Sequence, residues 1–170
     1  TFVATANAVS YLGAHPNFVD VNTRTLGIDP VKLEQYLLEN GEIREERLYN
    51  KTTDRRISAI IPVHIFGHPV EYDKIKNIAL KYNLTIVEDA AEALGSKYNN
   101  KFCGNLGDVG IFSFNGNKVI TCGGGGVIIT NDYDLAMRCK HLTNTAKTET
   151  NYEFVHDEIG YNYRMPNINA

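Results

Sequence analysis

Long apolar runs are absent from this 170-residue sequence. No stretch approaches the roughly 20 uninterrupted apolar residues that a membrane-spanning helix needs, and the first residues, TFVATANAVSY, lack the charged region and cleavage pattern of a signal peptide. The three cysteines, Cys103, Cys122 and Cys139, are an odd number without the paired spacing of a zinc site. A reducing compartment explains them best, so we expect a cytoplasmic protein with no membrane partner and no metal.

A strong charge of either sign is also absent. The 20 acidic and 17 basic residues are interspersed and give a net charge of -3, so the sequence does not predict nucleic acid as a partner. With 43% apolar residues the chain can build the core of one domain. It starts without methionine and stops just after Pro166-Asn167, where a helix would begin. We therefore expect both ends to be cuts through a larger protein.

Strand-like runs alternate with helical patterns along the chain, which is typical of an α/β layer with a mainly parallel sheet. The patterns predict helices over 3–12, after Asp29-Pro30, over 72–82 and over 132–142, and strands over 17–21, 58–66, 84–87, 110–114 and 126–130. The run at 58–66, SAIIPVHIF, is of the type buried on both faces. Residues 40–56 are interpreted as an exposed insertion, 115–126 as irregular and 143–159 as a mobile loop.

Chemically capable residues collect at predicted strand ends and in the loop that follows them: Asp89, Glu92, Ser113, Lys118 and the glycines 123–126. In open α/β sheets, ligands gather at the carboxyl ends of the strands. Each residue also has an ordinary explanation, since an aspartate can cap a turn, most lysines are solvated, and glycine runs mark turns or close backbone approaches. No single member of this set is diagnostic.

Together these residues meet the demands of pyridoxal phosphate (PLP). This cofactor needs a lysine for a Schiff base and an acid that keeps its pyridine nitrogen protonated. Lys118 and Asp89 fit those two roles, because a carboxylate under the ring stabilises the negative charge that forms when the amine donor loses a proton. Once released, Lys118 is placed to act as general base and acid.

Four motifs, EDAAEALG, GDVGIFSFNGNK, GGGGVIITND and GYNYRMPNINA, resemble those of the DegT/DnrJ/StrS family of PLP-dependent nucleotide-sugar aminotransferases. The resemblance covers nearly the whole chain. It implies the aspartate aminotransferase fold, a three-layer α/β/α large domain with a mainly parallel sheet. Residues 1–170 would be the central part of that domain, without the phosphate-binding helix upstream and the small domain downstream.

The resemblance also implies roles for individual residues. Lys118 would be the Schiff-base lysine, Asp89 the partner of the pyridine nitrogen, Ser113 a ligand of the phosphate, and Phe2 of TFVAT the aromatic cover of the ring. Glu92 lies where the family usually has glutamine, near the phenolic oxygen of the cofactor. A glutamate there would need to be protonated or compensated by other groups.

The GYNYR segment resembles the part of the family that reaches the cofactor phosphate in the neighbouring subunit. Asn162 is its best match, so the resemblance implies a homodimer with shared active sites. His64 in PVHIFG and Tyr161 also match family motifs, but we interpret them as a buried structural histidine and a packed tyrosine.

Within the family, the sequence is most similar to enzymes that aminate the 4-keto group of UDP-linked 2-acetamido-2,6-dideoxy sugars, with glutamate as the usual amino donor. Three alternatives stay open. A sugar dehydratase of the same fold would have histidine in place of Lys118. A nucleotide-binding module would use the glycine run as a phosphate cradle, although no G-x-G-x-x-G follows a first strand. The 170-residue piece by itself could also be inactive, because the segment that completes the phosphate site is not in it.

Overall fold

The computed structural model describes residues 2–148 and 152–170. The four helices in these ranges are α1 (Val3–Tyr11), α2 (Pro30–Asn40), α3 (Tyr72–Tyr82) and α4 (Tyr133–Thr143). The nine strands are β1 (Gly41–Arg44), β2 (Arg47–Asn50), β3 (Arg56–Ile57), β4 (Ala59–Ile60), β5 (Thr85–Asp89), β6 (Lys97–Tyr98), β7 (Lys101–Phe102), β8 (Val109–Ser113) and β9 (Gly126–Ile129). A short 3-10 helix covers Ile65–Gly67.

The main sheet has four strands in the order β4-β5-β8-β9. β4, β5 and β8 run parallel, whereas β9 pairs with β8 in the antiparallel direction. Two further sheets, β1-β2-β3 and β6-β7, are small and antiparallel. The predicted α/β class with a mainly parallel sheet is therefore confirmed.

The largest core cluster lies between α2, α3 and one face of the main sheet. Its buried members include Leu33 and Leu37 of α2, Ile75 and Ile78 of α3, and Ile86 of β5. The sequence predicts an approximate apolar face of α2 from Val31, Leu33, Leu37 and Leu38. This prediction was partly wrong, because Val31 and Leu38 are 69% and 59% exposed. The Ile86 face of β5 packs against this core, and the opposite face of the strand is directed toward α1.

Helix α2 begins where the sequence predicts. The Asp29 Oδ1 atom accepts hydrogen bonds from the backbone N–H groups of Val31 and Lys32, at 2.8 and 3.2 Å, and Pro30 occupies the first turn. These bonds pair N–H groups that have no partner within the helix.

We expect Asp29→Ala to lower the free energy of unfolding by about 1 kcal/mol, the usual effect of losing an N-cap. Urea unfolding of the full-length protein measures this difference. Asp29→Asn is the control, because its amide oxygen can still accept both bonds and most of the loss should be recovered. An Asn variant as unstable as the Ala variant would contradict the capping role.

Residues 40–56, interpreted as an exposed insertion, are mostly exposed, but they form regular structure that the sequence did not predict. β1 and β2 form a hairpin whose two-residue turn consists of Glu45 and Glu46, both with positive φ of 49° and 62°. β3 adds the third strand. On the exposed side, Arg44 forms ion pairs with Glu42 and Asp54.

Two predicted strands differ from the structure. Residues 17–21 are not a buried strand: Val21 makes an isolated bridge to Ile28, and Phe18 is 80% exposed. The run at 58–66 is regular only over Ala59–Ile60, followed by a bridge from Val63 to Asp89. Along this run, residues 60, 62 and 64 are buried and residues 59, 61 and 63 are not, so one face is covered instead of two.

The other predictions of regular structure are confirmed by α1, α3, α4, β5, β8 and β9, each within a few residues of the predicted bounds. Residues 115–126 are irregular up to the start of β9, as predicted. The predicted loop 143–159 contains residues outside the described ranges, and its described part holds a bridge from Lys147 to His156. Among the described residues, no helix has both the length and the apolar character to cross a membrane.

Candidate active site

The candidate site lies at the carboxyl ends of β5 and β8. Asp89 is the last residue of β5 and Ser113 the last of β8. The two strands are parallel neighbours with Asp89 opposite Ile111, so both ends open at one edge of the sheet. Lys118 and Glu92 lie in the segments that leave these two strands. The topology thus brings four of the predicted residues to one edge.

Asp89 is held by groups from two other parts of the chain. Its Oδ2 accepts a hydrogen bond of 2.5 Å from the Thr5 hydroxyl of α1, and its Oδ1 accepts one of 3.1 Å from the Ala91 backbone N–H. The side chain is half-buried. This carboxylate is therefore oriented by α1, and Thr5 is a site residue that the sequence interpretation missed. The sequence indicates Thr5 only weakly. It lies one turn after Phe2 in an apolar helix, where a threonine hydroxyl often has a purely local role.

Lys118 and Glu92 are in direct contact. Lys118 Nζ lies 3.4 Å from Glu92 Oε1, and the side chains are 17% and 41% exposed. The second oxygen, Oε2, accepts a hydrogen bond of 2.9 Å from the Phe66 backbone N–H. Both carboxylate oxygens of Glu92 are thus paired with donors, one with an ammonium and one with an amide. This contact joins the loop after β8 to the segment after β5.

Phe66 was not predicted as part of the site. It lies in the 3-10 helix with a left-handed backbone, φ 53° and ψ 26°, and its side chain is 74% exposed. A non-glycine residue in this conformation is strained, and its surroundings must hold it there. The hydrogen bond to Glu92 is one such restraint. Nothing in the sequence marks this backbone angle.

The loop that carries Lys118 is folded back on itself. The Phe114 N–H donates to the Gly125 carbonyl at 2.9 Å, and the Lys118 N–H donates to the Asn115 carbonyl at 3.0 Å. Ser113 Oγ accepts a 3.3 Å bond from the Asn115 N–H. Gly125 has φ +101°, and a Cβ there would lie 2.8 Å from Met165 Cε. The glycine run therefore serves a close approach and a left-handed turn at this position.

Phe2 and Asn162 are less closely tied to these residues. Phe2 immediately precedes α1, three residues before Thr5, and is 75% exposed. Asn162 is exposed and forms a bridge to Asn144. Their roles over the cofactor ring and at a neighbouring subunit's phosphate stay predictions.

His64 and Tyr161 occupy the environments that were expected of them. His64 is 1% exposed. Tyr161 is half-buried and stacks on Tyr163 with ring centroids 5.2 Å apart. Neither structural interpretation is contradicted.

A cavity of about 720 Å³ is not the candidate site. It runs along the open edge of β4 and the segment 12–28, and it reaches α1 at Phe2 and Thr5. Asp89, Glu92 and Lys118 do not line it. Its walls are mostly aliphatic and carry no carboxylate or lysine, so it lacks the amine and the acid that a PLP site needs.

The donor set at the edge of the sheet fits PLP. Lys118 offers an accessible amine, Asp89 a half-buried carboxylate and Ser113 a hydroxyl at a strand end. These are the three groups required to bind the aldehyde, the pyridine nitrogen and the phosphate of this cofactor. When bound, PLP supplies an electron sink for the carbon from which the amine donor loses its proton.

Comparison with known proteins decides the family. The model of the DegT/DnrJ/EryC1/StrS aminotransferase family matches residues 1–170. The chain belongs to this family. Its fold is the fold of that family's PLP-dependent aminotransferases, as the resemblance of the four motifs implied.

Three relatives illustrate the similarity. GDP-perosamine synthase of Escherichia coli O157:H7 is 42% identical over 170 residues, which are 100% of this chain and 42% of the relative. UDP-4-amino-4,6-dideoxy-N-acetyl-beta-L-altrosamine transaminase of Campylobacter jejuni is 37% identical over 99% of this chain and 41% of its own length. The solved structure of NtdA from Bacillus subtilis with bound cofactor PMP is 30% identical, with a TM-score of 0.78 over 99% of this chain and 34% of that one. The chain spans about two fifths of the length of the two curated relatives.

Proposed function

We propose that the protein to which this chain belongs is a PLP-dependent aminotransferase that aminates a nucleotide-linked keto-sugar. The observation that carries the proposal is the contact between Lys118 and Glu92. Lys118 Nζ lies 3.4 Å from Glu92 Oε1, at the edge of the sheet where Asp89 ends β5. This contact brings the amine of the loop after β8 to the carboxylate of Glu92, three residues beyond Asp89 in the segment after β5. The solved relative with bound PMP supports the cofactor.

In this proposal each residue has one task. Lys118 binds the cofactor covalently and, once released, carries a proton to and from the reacting carbon. Asp89, oriented by Thr5, keeps the pyridine nitrogen protonated. Ser113 holds the phosphate, Phe2 covers the ring, and Glu92 lies near the phenolic oxygen of the cofactor. Asn162 would complete the phosphate site of a second copy in a homodimer.

The proposed substrate is a UDP-linked 2-acetamido-4-keto-2,6-dideoxy sugar, and the proposed amino donor is glutamate. Support comes from the motifs FSFNGNK, GGGG and GYNYRMPNINA and from the Campylobacter relative, whose name specifies a UDP sugar. A GDP-linked sugar is the second candidate, because the perosamine synthase is 42% identical. A cytoplasmic location is part of the same proposal, since three cysteines without paired spacing suit a reducing compartment.

A panel of keto-sugars tests the substrate. The full-length protein, loaded with PLP and supplied with glutamate, is incubated with UDP-, GDP- and dTDP-linked 4-keto-6-deoxy sugars, and amino-sugar formation is measured by mass spectrometry. We expect the highest kcat/KM for the UDP-linked 2-acetamido sugar. A preference for the GDP sugar would replace the substrate while leaving the reaction type intact. Dehydration without amination would contradict the reaction type itself.

A further inference from the structure

A buried hydrogen-bonded pair, His64 and Glu88, lies directly behind the candidate site. His64 Nε2 and Glu88 Oε2 are 2.8 Å apart, and both side chains are 0% exposed. Glu88 immediately precedes Asp89 in β5. Side chains alternate across a strand, so Glu88 enters the core while Asp89 faces α1.

The Glu88 carboxylate is surrounded by N–H donors. Besides His64, the backbone N–H of Gly104 donates to Oε2 at 2.8 Å, and those of Leu106 and Gly107 donate to Oε1 at 2.6 Å each. Burial by itself raises the pKa of this carboxyl, but the bonds from His64 and the three amides outweigh it and lower the pKa below its ordinary value. Glu88 is therefore a buried anion with four hydrogen bonds.

The hydrogen bonds also define the tautomer of the His64 imidazole. Its Nδ1 accepts the Val70 backbone N–H at 3.3 Å, so the proton of the neutral ring is on Nε2 and points at Glu88. The imidazole thus joins two segments, the turn that leads to Val70 and the end of β5.

The segment that contains His64 also holds the main chain of Asp89. The Asp89 N–H donates to the Pro62 carbonyl at 2.9 Å, and the His64 N–H donates to the Asp89 carbonyl at 3.0 Å. Residues 62 and 64, which fix Asp89 from one side, are themselves anchored by the bond between His64 and Glu88. A shift of His64 would move both backbone partners of Asp89.

We propose that His64 and Glu88 are positioning residues for Asp89. They fix the backbone from which its carboxylate reaches the pyridine nitrogen, without touching the cofactor or the substrate. The proposal rests on the proposed function of Asp89. It predicts that breaking the pair lowers turnover by displacing the carboxylate, in addition to any loss of stability.

Three variants of the full-length, PLP-loaded protein test this. His64→Leu removes the donor to Glu88. His64→Gln keeps an N–H donor of similar reach. Tyr72→Phe is the matched control, because it removes a buried hydrogen bond from the Tyr72 hydroxyl to the Leu106 carbonyl, on the same loop that holds Glu88 but away from residues 62–64. Thermal midpoint, visible absorption of the bound cofactor, kcat and KM for glutamate are measured for each.

We expect His64→Leu and Tyr72→Phe both to lower the thermal midpoint. The absorption band should move in His64→Leu alone, in the direction expected for Asp89→Asn, which is measured beside it as the reference. We expect kcat of His64→Leu to fall about 10- to 100-fold, as for a small misplacement of a reacting group, with KM for glutamate within about twofold of wild type. His64→Gln should keep the wild-type band and most of kcat.

The proposal is overturned if the band and kcat of His64→Leu equal those of Tyr72→Phe. If His64→Leu does not fold, His64→Gln decides the question: a band that moves as far as in Asp89→Asn, at wild-type stability, contradicts the positioning role of the Nε2 donor. The proposed function fails in a different way. In that case the wild-type protein itself shows no cofactor band, and Asp89→Asn changes nothing.

Discussion

Replacing Lys118 with alanine should abolish amination by the full-length protein. In the proposed function, the variant loses the covalent attachment of the cofactor and the proton carrier at the reacting carbon. Loss of general acid–base catalysis by itself costs about 10²- to 10⁴-fold, so we expect kcat to fall by at least that range. Amino-sugar formation under saturating glutamate and PLP measures the effect.

Two controls separate the chemistry of Lys118 from its ion pair. Lys118→Arg keeps a cation opposite Glu92, but a guanidinium does not lose its proton and cannot act as the nucleophile. We expect it to be as inactive as Lys118→Ala. Lys101→Ala, in the exposed strand β7, should keep full activity. An arginine variant that retains substantial turnover would show that the lysine serves only to pair with Glu92.

Asp89→Asn should give the second-largest loss. The amide keeps the shape of the side chain and can still accept the Thr5 hydroxyl bond, but it has no charge to keep a pyridine nitrogen protonated. Removing one preorganised electrostatic partner costs about 10²- to 10³-fold in kcat, and we expect a decrease in this range with little change in the thermal midpoint. The visible band of the bound cofactor should change together with kcat.

Asp108→Asn is the matched control for this prediction. Asp108 Oδ2 accepts a 2.7 Å bond from the Ile86 backbone N–H at the middle of β5, so this carboxylate supports the same strand without lying at its end. We expect Asp108→Asn to lower the stability of the protein, whereas kcat per folded molecule should stay close to the wild-type value. Equal losses of kcat in the two variants would mean that Asp89 matters for the strand and not for the chemistry.

Much of the regular structure can be predicted from the sequence because local signals agree with the tertiary packing. Asp29 and Pro30 mark the start of α2, and Ile75, Ile78 and Ala79 give α3 one buried face. In α2 the capping chemistry favours the observed start, and in α3 the apolar period agrees with the packing. The outward Val31 shows the limit of this reasoning, since an approximate apolar face does not determine which of its members is covered.

The hairpin of β1 and β2 could not be predicted in this way. A two-residue turn with positive φ at both positions usually has Asn or Gly, but here it is Glu45-Glu46. The strands carry Glu42 and Arg44 on a solvent-exposed surface, so no apolar alternation marks them.

The error at residues 17–21 has the opposite cause. NFVDV has strand-like composition, but a strand also requires a pairing partner, and Val21–Ile28 is its one bridge in the described part of the chain.

The residue types of the candidate site were predictable, whereas their contacts were not. Lys118 and Asp89 were identified by motif order and by the chemistry that PLP needs. The bond from Thr5 to Asp89 spans 84 residues and the contact of Lys118 with Glu92 spans 26, and no local pattern encodes such distances. The buried bond between His64 and Glu88 belongs to the same class: burial of the histidine was expected, but its partner was not.

Reduction of the PLP-loaded full-length protein with borohydride tests the central claim most directly. The treatment makes a covalent link between cofactor and lysine permanent, and digestion followed by mass spectrometry locates it. The account predicts about one pyridoxyl group per chain, on the peptide that contains Lys118. Incorporation at a different lysine, or a reduced protein without label, would contradict it.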